Sequence, residues 1–160
     1  MSERIDVTAN RENPDHEPSA ASETAPARSA GAPQPADVII VEGESALAEM
    51  LEYSVGNAGY TAVVFRAGPS AIEYLARDLS TSAAPLVLLD LDLLGTEGFL
   101  ALKDILATRP HLRVIVLSAQ GAERDQIRAL RAGAVDYLVK PLSIPILVAK
   151  VERLLAYRLP

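Results

Sequence analysis

The stretch LVLLDLDLLGTEG, Leu86 to Gly98, runs four aliphatic residues directly into Asp90 and Asp92, then into a turn bounded by glycines. A short apolar run of this kind reads as a strand buried on both faces. A carboxylate at the end of such a strand loses solvation, so its charge there calls for a use. Whatever surrounds this strand decides both the fold and that use.

Four further apolar β-branched runs accompany it: DVIIV (37–41), TAVVF (61–65), RVIVLSA (113–119) and DYLV (136–139). Between them lie stretches with helical spacing. SALAEMLEYSVGNAG places Leu47, Met50, Leu51 and Val55 on one face, with Ser45 suited to an N-cap and Asn57 and Gly59 to a helix end. GPSAIEYLARDL carries Pro69 in its first turn. GFLALKDILATRP stops at Pro110, and ERDQIRALRAGA ends at Gly133. A final helix aligns Leu147, Val148, Val151, Leu154 and Leu155.

Strand and helix in strict alternation predict an α/β fold, a parallel sheet covered on both sides. Right-handed crossovers make it doubly wound, with any ligand site beyond the carboxyl ends of the strands. The residues leaving the strands are Glu42, Gly43 and Glu44, then Asp90, Ser118, Ala119 and Lys140. Converging carboxylates repel, and a hard cation such as Mg²⁺ relieves that repulsion. A lysine and a serine hydroxyl beside them suit a phosphoryl group, with Asp90 as its acceptor. Each of these residues alone is more often a turn former or cap. Their arrangement at four strand ends is what favours chemistry. His16 and His111 carry no such signal, and His111 is expected in solvent.

Composition bounds the rest. Residues 1–35 hold five of the eleven prolines and no aromatic residue, which predicts a disordered Pro/Ala/Ser tail before a domain over 36–160. The chain has no cysteine, so disulfides and thiolate metal sites are excluded. A net charge of -6 argues against nucleic acid or an anionic membrane as partner. No apolar run approaches the roughly 20 residues of a membrane span, and no signal peptide opens the chain. A cytoplasmic location follows as the default.

Four motifs in order, VIIVEGES, LVLLDLDLLGTEG, VIVLSA and GAVDYLVKPL, resemble the receiver domain of two-component response regulators over about residues 37–158. The resemblance implies a flavodoxin-like, five-stranded sheet in order 2-1-3-4-5. It implies Asp90 as phosphoacceptor, Ser118 as switch hydroxyl and Lys140 as the phosphate-contacting lysine, aimed by a cis Lys140–Pro141 bond. Tyr137 becomes the switch aromatic, turning inward on phosphorylation. Glu42, Asp90 and the backbone carbonyl of Asp92 become the Mg²⁺ ligands. The implied partners are a histidine kinase or phosphotransfer protein and a downstream protein on the face of helix 4, strand 5 and helix 5. That face is also the candidate surface for a homodimer.

The chain departs from the family where a second acid normally follows the first strand, because Gly43 stands there. Glu44 and the Asp92 side chain are the candidates to replace it, and weakened Mg²⁺ binding is expected. The family's usual proline in the phosphoacceptor loop is Leu94. Two functions remain: a phosphorylation-driven regulator that is not an enzyme, or a receiver-like adaptor that binds a partner without phosphate. A nucleotide-binding enzyme is disfavoured, since VEGESA lacks a glycine-rich phosphate cradle. No DNA-binding output domain is expected, because the sequence stops at Pro160 after the last helix.

Overall fold

Strand and helix alternate from Val38 onward in the computed structural model, which describes residues 36–76 and 85–156. The tail expected over residues 1–35 lies outside them. The strands are β1 (Val38–Val41), β2 (Ala62–Phe65), β3 (Leu86–Asp90), β4 (Arg113–Ser118) and β5 (Asp136–Val139). The helices are α1 (Ser45–Asn57), α2 (Gly68–Ala76), α3 (Gly98–Thr108), α4 (Glu123–Ala132) and α5 (Ile144–Ala156). All strand pairs are parallel, as the alternation predicts, and the sheet order is β2-β1-β3-β4-β5, as the resemblance implies.

Alternate residues of each central strand feed opposite faces. Ile39 and Val41, Val87 and Leu89, and Val114 and Val116 pack with Ala71 and Leu75 of α2, Leu102 and Ile105 of α3, and Ala129 of α4. Val38 and Ile40, Leu86 and Leu88, and Ile115 and Leu117 pack with Leu51 and Val55 of α1 and Leu147, Val151 and Leu155 of α5. This is why β1, β3 and β4 read as unbroken apolar runs: neither face meets water.

Two local features differ from expectation. Ser45 lies inside α1, and Glu44 takes the N-cap position with no side-chain cap. The Glu44 N–H instead donates to Glu42 Oε1 at 3.0 Å, so the entry to α1 is closed by the residue that follows β1. The glycine-bounded turn after β3 contains a 3-10 helix, Asp92–Glu97, broken at Gly95 with φ 68° and ψ -154°. The end of α4 behaves as expected. Gly133 adopts φ 110°, and its N–H and that of Ala134 donate to the carbonyls of Leu130 and Ala129. The left-handed conformation suits glycine and closes the helix. The Lys140–Pro141 bond is cis. No described helix is long and apolar enough to cross a membrane.

Candidate functional site

The register brings the carboxyl ends of β1, β3, β4 and β5 to one edge of the sheet. Asp90 pairs with Leu117, and Ser118 with Val139. Pairing continues one step further, since Glu42 N–H donates to the Phe65 carbonyl and Lys140 N–H to the Ser118 carbonyl. The backbone therefore fixes where Glu42, Asp90, Ser118 and Lys140 begin; the side chains of Glu42, Asp90 and Lys140 meet, and Ser118 turns to Asp92 beside them.

Glu42 is 1% exposed and Asp90 6%. One ammonium serves both: Lys140 Nζ lies 2.8 Å from Glu42 Oε2 and 3.1 Å from Asp90 Oδ2. Burial raises the Asp90 pKa above the usual carboxylate value, and the neighbouring Glu42 charge adds to the rise, against the opposing pull of Lys140. Burial pulls the Lys140 pKa down, but its hydrogen bonds to the two acids and their charges outweigh this and leave it raised. The remaining Asp90 oxygen, Oδ1, accepts the Asp92 N–H at 2.9 Å.

The Asp92 side chain turns to the next strand. Its Oδ1 accepts the Ser118 hydroxyl at 2.9 Å, and its Oδ2 accepts the Ala119 N–H at 2.8 Å. Ser118 Oγ in turn accepts the Gln120 N–H at 3.0 Å, and the Gln120 carbonyl accepts the Tyr137 hydroxyl at 2.7 Å. The Tyr137 ring is buried in the unmodified chain, although the resemblance implies that it turns inward only on phosphorylation. Burial raises its pKa, helped by the charges of Asp125 and Asp92.

Of the residues singled out in the sequence, Glu42, Asp90 and Lys140 form one group, and Ser118 and Tyr137 lie in a chain of hydrogen bonds beside it. Glu44 is exposed and joins the group through its backbone N–H. His111 is exposed, as expected. Sequence reasoning missed the Asp92 side chain as a partner of Ser118, and missed Gln120 altogether. The available signal was a second aspartate in a loop already burdened with one.

Gly43 brings no carboxylate, and the space beside it is occupied. A Cβ there would stand 2.9 Å from Leu93 Cδ1. Among the described residues, no three His, Cys, Asp or Glu side chains gather as metal ligands. Glu42 and Asp90 nevertheless hold a common cation in the form of Lys140, and hard oxygen donors are what Mg²⁺ takes. Two carboxylates are a reduced donor set that Mg²⁺ can complete with water.

Residues 38–152 match the response regulator receiver domain. Sensory transduction protein RegX3 of Mycolicibacterium smegmatis is 38% identical over 118 residues, covering 74% of this chain and 50% of the relative. Response regulator protein FleR of Pseudomonas aeruginosa is 35% identical, covering 78% of this chain and 26% of its own. The chain thus spans half or less of the length of these relatives. Among solved structures, the Francisella response regulator 1452 receiver domain superposes with a TM-score of 0.66 at 24% identity, covering 76% of this chain and 98% of that one. The orphan response regulator HP1043 of H. pylori gives 0.63 at 26% identity, covering 74% of this chain and 94% of that one. The sheet order, the acids and lysine gathered at its carboxyl edge, and these similarities agree: the chain belongs to the receiver domain family of two-component response regulators.

Proposed function

We propose that this receiver domain takes a phosphoryl group on Asp90 from a histidine kinase or phosphotransfer protein and signals through protein contacts, without turning over a substrate of its own. The shared ammonium carries this reading: Lys140 holds Asp90 and Glu42 together at the carboxyl edge of the sheet. In the transfer, an Asp90 carboxylate oxygen bonds to phosphorus as the P–N bond of a phosphohistidine breaks. The bonding pair returns to the imidazole nitrogen, which takes up a proton from solvent. The Lys140 ammonium lies within ion-pair distance of both acids and carries three N–H donors with which to meet a phosphoryl oxygen. Bound Mg²⁺ would neutralise charge on the transferring group. Glu42, Asp90 and the Asp92 carbonyl would hold it, more weakly than a site with a second acid at position 43.

The exposed apolar side chains of Ile127 and Leu130 on α4 and Val139 on β5 support a downstream protein partner on that face, or a second copy of the chain. A cytoplasmic location accords with this role. Incubation with acetyl phosphate and Mg²⁺ tests the reading by intact mass. One phosphoryl group should add to the wild type and none to Asp90→Asn. An unmodified wild type would favour the phosphate-independent adaptor, which the already buried Tyr137 also suits.

A further inference from the structure

We propose that the Asp92 carboxylate is a built-in anion that holds Ser118 and Tyr137 in their inward arrangement in the unmodified protein, and that a phosphoryl group on Asp90 must compete with it. The inference rests on the proposed phosphoacceptor site and adds a regulator to it.

The argument is one of donor supply. A serine hydroxyl has one proton to give, and so does a backbone amide. In this chain the Ser118 hydroxyl gives its proton to Asp92 Oδ1, and the Ala119 N–H gives its own to Asp92 Oδ2. Both ends of one carboxylate are thus held by two neighbouring donors at the carboxyl end of β4, beside Asp90. A phosphoryl oxygen on Asp90 would seek the same two donors. It carries the same sign of charge as Asp92, so the two anions cannot share them.

The consequence passes along the bonded chain. With its proton fixed on Asp92, Ser118 Oγ turns a lone pair to the Gln120 N–H at 3.0 Å. That contact positions the Gln120 carbonyl for the Tyr137 hydroxyl at 2.7 Å, and the ring stays inside at 7% exposure. The movement expected of Ser118 and Tyr137 on phosphorylation is already made, with an aspartate in place of the phosphoryl group. Phosphorylation then exchanges one anion for another, and what it changes at the α4–β5–α5 face starts from an arrangement that is already inward.

Amide hydrogen exchange by NMR tests this in wild type, Asp92→Ala and Asp92→Asn. Charge-assisted bonds of this type are worth about 1.5–3 kcal/mol, or roughly tenfold and more in an equilibrium. The Ala119 and Gln120 amides should therefore exchange about tenfold faster in Asp92→Ala. Asp92→Asn, with one acceptor oxygen, should fall between. The Val116 amide inside β4 should be unchanged in all three, which shows that the sheet is intact. Beryllofluoride with Mg²⁺ should then shift the Ala119 and Gln120 resonances little in wild type and strongly in Asp92→Ala. Equal exchange of Ala119 in wild type and Asp92→Ala would overturn the proposal. So would a beryllofluoride response as large in wild type as in Asp92→Ala. If neither protein responds to beryllofluoride or gains mass from acetyl phosphate, the phosphoacceptor reading fails, while the exchange comparison still decides the role of Asp92.

Discussion

Asp90 sits beside a second buried acid, and a single cation serves both. Its raised pKa means that the fold disfavours its ionised form relative to water. That penalty is complete above the folded pKa and disappears below the usual value of about 3.8, where both states hold the proton. Asp90→Asn, which keeps an acceptor for the Asp92 N–H, should therefore melt higher than wild type at neutral pH. The gain should shrink as pH falls through the acid range. A variant that melts lower at neutral pH would contradict this. Lys140→Met should act in the opposite direction. It leaves Glu42 and Asp90 facing each other without a cation, at a cost of about 3 kcal/mol in urea unfolding. Lys140 also has a raised pKa, so its contribution is full below the usual lysine value of 10.5 and is lost as pH rises through the folded one. Loss of Lys140 with no change in midpoint would show that the ammonium is solvated and holds neither acid.

The loops between elements set the pocket's chemistry. Gly43 lies between β1 and α1 with the end of Leu93 against it. Gly43→Asp should tighten Mg²⁺ binding in a calorimetric titration, since the flexible Leu93 tip can move and a third carboxylate joins the donors. No change would mean that the reduced set already suffices or that the pocket takes no metal. At the other end of the molecule, Gly133 ends α4 at φ 110°, so Gly133→Ala should destabilise by about 1 kcal/mol. Gly133 was legible in the sequence because a helix stop has a local cause. The apolar runs of β1, β3 and β4 likewise announced their burial, and with it the edge where Glu42, Asp90, Ser118 and Lys140 meet. What stayed illegible depends on direction rather than on residue type. Nothing in DLDLLG says that the Asp92 side chain leaves the Asp90 group for Ser118 and Ala119, nor that Glu42 replaces Ser45 in closing the entry to α1. The first follows from a side chain meeting a strand far along the sequence; the second is local, but depends on Glu42 being buried beside Lys140 so that it faces back to the Glu44 N–H.

At the scale of the whole molecule, two cores share one sheet, so the pocket is held by packing on both faces. Leu88 is fully buried on the α1 and α5 side. Leu88→Ala should destabilise by about 3 kcal/mol and loosen the pocket without touching it. Leu130, half exposed on α4, gives the contrast. Leu130→Asp should leave stability within about 0.5 kcal/mol but weaken a partner on the α4–β5–α5 face. Phosphorylation drives signalling through this face only if Asp90 is the residue that takes the phosphoryl group. The most direct measurement is to phosphorylate the chain with acetyl phosphate, reduce the acyl phosphate with borohydride, and sequence the peptide spanning Leu86–Gly98 by tandem mass spectrometry. Reduction converts the modified aspartate to homoserine. Homoserine at position 90 alone is the expected result. Homoserine at position 92, or at neither aspartate, would contradict the assignment of Asp90.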